Sequence, residues 1–342
     1  ISSEGKLLSF PVSFLSGKST PSAEDENLLS IEKLSEDKTY GISKGNDQDF
    51  LIWESTSSDG VSIKIIDGES NKTRTLTVLK TPLVCAKYHD GKILTLDTNG
   101  KCSIIDYNTG KTTFSYTAYG IRDVDFIDND NIIAGRSSSA TISSPLLHIN
   151  TKTEETVPID DSDILIFGLK YDEIGKKLYT LGFEERNGLM RTILKQRTGK
   201  HFEKITTIIS YPGEDITSSF VSDPNSSKIF TSIAHSGINM IYWRGLTSLS
   251  KTFSIPEALK LNGDILVTQN RDSSFTIYNQ LNGKKIMDFF VFEDLSYAAF
   301  LGDNKIYCSP GAEKYINIFN GSTNSELNKD GFNISKLANK NQ

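Results

Sequence analysis

The sequence has no long apolar runs and no pattern typical of a long helix. Its longest apolar stretches, such as Ile164–Leu169, have the length of a single β-strand, whereas a membrane-spanning helix needs roughly 18 or more apolar residues. Apolar residues at helical spacing do not continue for ten residues anywhere. We therefore expect a chain built from strands, without a membrane span.

Cysteine and histidine are also scarce. The three cysteines include no close pair, and Cys85 and Cys102 are predicted on the first and third strands of one repeat. Those strands lie about 9.6 Å apart, which is too far for a disulfide. The histidines show no metal-ligand spacing; they are His89, His148, His201 and His235. We predict no metal ion and no cofactor.

The charge balance excludes one large class of partners. The net charge is −6 and the pI about 5.4, whereas nucleic-acid binding calls for a basic surface. One segment, Arg186 to Lys204, is locally basic, and alternation along strands predicts that its cations point outward as a solvated flank. The chain begins at Ile1 and continues into a Ser-rich segment, which favours an exported or periplasmic protein over a cytoplasmic one.

A repeat organises nearly the whole chain. Its most regular element is a strand that begins with Leu, Ile or Phe and continues with small or polar residues. Seven copies occur: Phe50–Glu54, Ile93–Asp97, Ile132–Arg136, Leu178–Gly182, Ile229–Ile233, Ile265–Gln269 and Ile306–Pro310. A polar loop and a second alternating strand follow each copy, which is typical of β-hairpins.

Turn residues fix the period of this repeat. The strand that follows the polar loop ends at turns such as Asp-Gly, Thr-Gly and Asn-Gly. The corresponding turn residues of the seven copies are spaced 38 to 47 residues apart: Gly68, Gly110, Lys152, Gly199, Gly245, Gly283 and Gly321. A four-stranded propeller blade takes about 40 to 50 residues. The sequence therefore predicts an all-β, seven-bladed β-propeller with four-stranded antiparallel blades.

The two ends of the chain predict how this ring closes. No fourth strand follows Gly321, while residues 6–15 form a strand pattern before the first blade. We expect residues 6–15 to supply the outer strand of the last blade, since closure removes exposed sheet edges. Residues 1–325 then form a single propeller, and residues 326–342 form a C-terminal tail.

One turn motif carries a family resemblance. Ile104–Gly110 reads Ile-Ile-Asp-Tyr-Asn-Thr-Gly, which is similar to the Ile-Asp-x-x-Thr-Gly ending of YVTN-like repeats. With the repeat period, it makes the chain resemble the WD40/YVTN-like β-propeller superfamily over nearly its full length. The Gly-His and Trp-Asp dipeptides of WD40 repeats are absent. The resemblance therefore implies an architecture, not a particular activity.

Motifs that suggest catalysis or ion binding have simpler interpretations. Gly17-Lys-Ser lacks the earlier glycine of a phosphate-binding loop and precedes Pro21, so it is interpreted as linker. The acidic segment Asp123–Asn131 is interpreted as the end of a strand followed by a turn rather than a calcium loop. No Gly-x-Ser-x-Gly nucleophile elbow occurs. We expect a protein that is not an enzyme.

Propellers usually bind partners through the loops between second and third strands and between blades. In this chain those loops combine charge with aromatic residues, which suits protein docking. The candidate partner-binding residues are Tyr119, Arg136, Arg186, Tyr211, His235, Arg271, Glu293 and Glu313. We expect a monomeric, non-catalytic scaffold that binds a protein or peptide. The alternatives are an exported or envelope ligand-binding propeller and a propeller hydrolase or lactonase with a metal in its channel.

Overall fold

The computed structural model describes most of the chain between residues 40 and 301 and short segments elsewhere. The described residues are 6–9, 30–33, 40–54, 60–70, 72–139, 144–159, 162–212, 219–223, 225–226, 228–233, 237–242, 245–249, 252, 254–301, 306–309, 311–316, 318–320, 323–325 and 334–336.

The chain divides into two compact units. Residues 37–227 form the central unit, and residues 1–36 together with 228–342 form the terminal unit. Apart from one short 3-10 helix at Ala312–Tyr315, the regular structure of the described residues is entirely β.

The central unit contains four consecutive four-stranded antiparallel sheets, each paired in chain order. Blade 1 comprises β3 (Tyr40–Lys44), β4 (Phe50–Glu54), β5 (Val61–Ile66) and β6 (Thr73–Leu79). Blade 2 comprises β7 (Leu83–His89), β8 (Lys92–Asp97), β9 (Lys101–Asp106) and β10 (Thr112–Thr117). Blade 3 comprises β11 (Ile121–Phe126), β12 (Asn131–Arg136), β13 (Leu146–Asn150) and β14 (Thr156–Ile159). Blade 4 comprises β15 (Asp163–Asp172), β16 (Lys177–Arg186), β17 (Leu189–Thr198) and β18 (Lys204–Pro212), and β19 (Phe220–Asp223) follows it.

The apolar core of this unit lies between successive blades. Leu51 and Ile63 of blade 1 pack with Ile93 and Ile105 of blade 2 in one buried cluster. Two further clusters join blade 2 to blade 3 and blade 3 to blade 4 in the same way. Each blade therefore buries its faces against its neighbours, as a repeat architecture requires.

Two aspartates of β11 connect the first strands of blades 3 and 4. The Asp123 carboxylate accepts a hydrogen bond from the Leu169 backbone N–H at 2.7 Å, and Asp125 accepts one from the Tyr171 N–H at 2.9 Å. Lys87 of β7 donates to Asp123 at 3.0 Å. The acidic segment is thus a strand followed by a turn, as predicted, and its first carboxylates satisfy backbone donors of β15.

The terminal unit contains the remaining strands. They are β1 (Lys6–Ser9), β2 (Ser30–Lys33), β20 (Lys228–Ile233), β21 (Gly237–Tyr242), β22 (Gly245–Ser248), β23 (Pro256–Asn262), β24 (Ile265–Asn270), β25 (Phe275–Asn279), β26 (Lys285–Val291), β27 (Tyr297–Leu301), β28 (Ile306–Cys308), β29 (Ile318–Asn320), β30 (Thr323–Ser325) and β31 (Ile334–Lys336). Strands β20–β22 pair antiparallel in chain order. Strands β23–β28 form one sheet with β31 at its edge, and β29 pairs with β30.

The blade count is where the prediction was wrong. Among the described residues, the sheets are those of a β-propeller with four-stranded antiparallel blades, but they make six blades rather than seven: blades 1 to 4, blade 5 with β20–β22, and blade 6 with β23–β26. The strands of the seventh repeat, β27 and β28, extend the sheet of blade 6 (β23–β26) instead of forming a separate blade.

A tight turn explains this difference. Between β26 and β27, the Phe292 N–H donates to the Ser296 carbonyl at 2.8 Å, and the Leu295 N–H donates to the Phe292 carbonyl at 3.0 Å. The turn pairs Val291 with Tyr297 in an antiparallel register. Because the chain reverses within five residues, β27 must continue the same sheet.

The predicted closing strand is not found among the described residues. Lys6–Ser9 pairs antiparallel with Ser30–Lys33 in a two-stranded sheet, and residues 10–15 of the predicted strand lie outside the described residues. The Gly17-Lys-Ser segment also lies outside them. The repeated strands that begin with Leu, Ile or Phe, which are the second strands of the repeats, are confirmed in all seven copies. They are β4, β8, β12, β16, β20, β24 and β28.

Candidate functional site

Four of the predicted binding residues lie at one end of the central unit, here called the loop end. The loop end comprises the connections between second and third strands and between consecutive blades. Tyr119 lies two residues before the start of β11 and is 74% exposed. Arg136 ends β12 and is paired in register with Ile121. These two residues of blade 3 therefore lie close to each other along the loop end.

Blade 4 brings the other two residues to the same end. Arg186 ends β16 and pairs with Leu189 across the hairpin, while Tyr211 pairs with Thr192 near the end of β18. The Ser138 N–H of blade 3 donates to the Ile164 carbonyl at the start of β15, at 2.7 Å. This bond holds the loop ends of blades 3 and 4 side by side.

The other four candidate residues belong to the terminal unit. Arg271 lies in the β24–β25 turn and forms an exposed ion pair with Glu257 at 3.0 Å. Glu293 is exposed in the β26–β27 turn. Glu313 belongs to the 3-10 helix, although its side chain lies outside the described residues, as does all of His235.

Arg136 is tied to its own loop. Its Nε donates to the Ser144 carbonyl at 2.7 Å, and burial lowers the pKa of its guanidinium. This arginine is therefore bound to the backbone at Ser144, just before β13, which makes it a weaker candidate for direct partner contact than the exposed Tyr119 and Arg186.

The prediction that the cations of Arg186 to Lys204 all point into solvent is wrong for two cations of β17. Lys195 and Arg197 of β17 are 3% and 0% exposed. Leu194, on the opposite face of the strand, is 1% exposed. Alternation gives a solvated face only when one side of a sheet meets water, and here both faces of β17 are buried.

Both cations contact one buried carboxylate. Lys195 Nζ lies 2.6 Å from Asp163 Oδ1, and Arg197 Nη2 lies 3.2 Å from Asp163 Oδ2. Glu184 contacts Lys195 at 3.4 Å. Burial raises the pKa of Asp163 to about 6 despite Lys195, and burial lowers the pKa of Arg197 to about 10. We call Asp163, Glu184, Lys195 and Arg197 the blade 4 ion cluster.

The β16–β17 hairpin is the feature of the loop end that sequence reasoning missed. Each strand has ten residues, against six in the corresponding strands of blade 2. Asn187 and Gly188 form the two-residue turn with positive φ angles of 55° and 76°, as a primed hairpin turn requires. The Asn-Gly pair between alternating strands was the signal that could have located it.

The tip of this hairpin exposes apolar side chains. Leu189 is 63% and Met190 46% exposed, and the exposed Arg186 lies directly across from Leu189. The four additional residues per strand correspond to about 13 Å of strand. The blade 4 hairpin therefore presents an apolar pair and a cation on a rigid support.

The described residues contain neither a cluster of metal ligands nor a membrane-spanning helix. Within them, no group of three or more His, Cys, Asp or Glu side chains could hold a metal ion. Among the same residues, no helix combines the length and apolar character needed to cross a membrane.

No family model matches the chain, and no curated protein matches it. Among solved structures, the chain is similar to the computationally designed Ika8 protein, with 11% identity and a TM-score of 0.46. The match covers 79% of this chain and 82% of that one.

Proposed function

We propose that this chain is a non-catalytic β-propeller of the WD40/YVTN-like kind that serves as a scaffold and binds a protein or peptide partner at the loop end of its central unit. The observation that carries the proposal is the blade 4 hairpin, whose tip exposes Leu189 and Met190. Adjacent exposed apolar side chains are typical of protein interaction sites, and methionine is enriched at such interfaces.

The neighbouring residues complete such a surface. Tyr119 and Arg186 are both exposed, and aromatic residues and arginine are enriched among the residues that dominate binding energy. Tyr211 lies on β18, beside the hairpin. The proposed contact set is therefore Tyr119, Arg186, Leu189 and Met190, with Tyr211 at its border.

A photo-crosslinking experiment tests the proposal. A photoreactive residue is placed at Met190, or at Ile205 as the control, which is 43% exposed and lies at the start of β18, at the opposite end of the same blade. We expect a crosslinked partner from native extract at Met190 and none at Ile205.

Paired variants then establish that the tip drives binding. Leu189→Ser with Met190→Ser removes the apolar anchors and is expected to weaken capture of that partner at least tenfold, on the order of 2 kcal/mol. Ile205→Ser should leave capture unchanged, and both variants should melt like the parent because these side chains are exposed. Undiminished capture by the double variant would contradict the proposal.

A further inference from the structure

A cleft of about 280 Å³ lies at the end of the central unit opposite the loop end. It forms where the first strands of blades 2, 3 and 4 finish, at His89, Phe126 and Asp172. Ser222 of β19 completes the lining. Because successive first strands run side by side in the same direction, their final residues meet at one place.

Aromatic and aliphatic side chains form the walls of the cleft. The His89 ring stacks on Phe126 with centroids 5.1 Å apart and an interplanar angle of 29°. Tyr88 and Tyr171 line the cleft beside them, and Ile174 at the rim is 73% exposed. An exposed isoleucine beside aromatic rings provides an apolar surface for a ligand.

The charged groups of the cleft are unequally compensated. Lys170 Nζ lies 3.8 Å from Asp125 Oδ2, so these two residues offset each other. Asp172 and Glu173 also line the cleft, and neither forms an ion pair within the described part of the chain. The cleft therefore carries uncompensated negative charge next to its apolar walls.

Asp172 has one carboxylate oxygen available for a ligand. Its side chain is more than nine-tenths buried. Its Oδ1 accepts hydrogen bonds from the backbone N–H groups of Ile174 at 3.1 Å and Gly175 at 2.9 Å. Its Oδ2 accepts no hydrogen bond from the described residues. The Oδ2 atom is not one of the fully buried unpaired atoms of these residues, and a carboxylate oxygen forms its strongest hydrogen bonds with a charged donor.

From this arrangement we infer that the cleft binds a protonated amine attached to an apolar body. The ammonium group donates to Asp172 Oδ2 and is attracted by Glu173. The apolar body packs against Ile174 and the aromatic rings, which also favour a cation over their faces. The volume accommodates about ten non-hydrogen atoms, which fits a small aralkyl amine or a single lysine side chain of a peptide.

Titration calorimetry with the full chain and three probes of one shape tests the charge preference. Phenethylamine, 2-phenylethanol and 3-phenylpropionate share the aromatic body but carry an ammonium, a hydroxyl or a carboxylate. We expect the amine to bind most tightly and the carboxylate most weakly. Failure of the amine to bind, or binding of the carboxylate as tight as that of the amine, would overturn the inference.

Two variants locate the binding. Asp172→Asn keeps the Oδ1 acceptor of the turn and replaces Oδ2 by an amide, while Glu173→Gln removes an exposed charge without disturbing packing. Asp172→Asn should weaken amine binding about tenfold, the effect of one charge-assisted hydrogen bond, and Glu173→Gln, which removes only an attraction between exposed charges, should weaken it by a smaller factor. Unaltered amine affinity in both variants would place the amine elsewhere and refute the site.

A matched control separates this site from a general charge effect. Asp106 accepts the same two turn hydrogen bonds, from Asn108 and Thr109, but does not line the cleft. Asp106→Asn should leave amine binding unchanged, and an equal loss there would count against the site. Titration of Nα-acetyl-lysine amide, which keeps its ε-ammonium group, is compared with titration of phenethylamine. The tighter of the two binders shows whether a lysine side chain of a peptide or a small free amine is preferred.

Discussion

Blades 2 and 4 derive from the same repeat, yet their interiors differ. The middle strands of blade 2 bury Leu94, Leu96 and Ile104 in an apolar cluster. The corresponding strands of blade 4 bury Lys195 and Arg197 against Asp163. Blade 4 is also longer, with strands of nine or ten residues against six or seven in blade 2.

The comparison shows that strand order and interior chemistry are separate properties of a blade. Backbone pairing between strands is the same whether the side chains are apolar or charged. The additional residues of blade 4 extend its hairpin, and Asp163 at the first position of its first strand supplies the counter-charge. An ion cluster can therefore lie in the interior of one blade beside buried apolar residues such as Leu181 and Leu194, without altering the repeat.

The largest expected effect is the loss of Asp163. Asp163→Ala leaves Lys195 and Arg197 as buried cations without their shared carboxylate, and we expect the free energy of unfolding of the full chain to fall by about 3–5 kcal/mol. Denaturant titration followed by intrinsic fluorescence measures this change.

An exposed ion pair is the control for that prediction. Asp130 lies 2.7 Å from Lys152, and both side chains are exposed to solvent. Asp130→Ala should cost about 0–1 kcal/mol. If Asp163→Ala and Asp130→Ala cost the same, the blade 4 ion cluster does not stabilise the fold and the distinction between the blades fails.

A slightly smaller effect is expected in the apolar interior of blade 2. Leu96 is fully buried, and Leu96→Ala should destabilise the chain by about 2–5 kcal/mol through lost burial and a residual cavity. The same denaturant titration applies. Val84, which is 50% exposed, is the matched control. If Val84→Ala lowers the free energy of unfolding as much as Leu96→Ala does, burial does not determine the size of the destabilisation.

The smallest expected effect is a pH dependence confined to blade 4. Burial raises the folded-state pKa of Asp163 to about 6, well above the ordinary pKa of an aspartate. The folded state therefore binds this proton more tightly than the unfolded state does. The stabilisation is present below about pH 4 and is lost as the pH rises through about 6.

Unfolding measurements between pH 4 and pH 6 separate this contribution from the rest. Relative to Asp163→Asn, the parent should lose on the order of 1 kcal/mol of stability over that interval as the pH rises. Parallel pH profiles for the parent and the variant would show that Asp163 does not titrate in this window.

The repeat, the strands and several turns were predictable because they depend on short-range physics. The Thr-Gly pair at Gly110 predicts a hairpin turn, and Gly110 has a φ of +69°. A side chain there would also approach the Leu76 carbonyl oxygen to 2.4 Å. Cys85 and Cys102 lie on the first and third strands of blade 2, as predicted, and both are free thiols.

The candidate sites were only partly predictable. Tyr119 and Arg186 are exposed at the loop end, as the loop positions implied. The apolar tip at Leu189 and Met190 depended on how far the blade 4 hairpin extends. The cleft could not be predicted because it forms where three strands end, at His89, Phe126 and Asp172. Successive strand ends are about 40 residues apart in the chain.

The sequence alone determined the all-β character, the repeat period and the position of the second strand in every copy, because alternation and turn chemistry act over a few residues. Tertiary structure decided the number of blades, since a five-residue turn after Val291 keeps β27 in the sheet of blade 6. It also decided that Lys195 and Arg197 are buried. A strand covered on both faces has no solvent side for a charge to reach, and only neighbouring blades determine that cover.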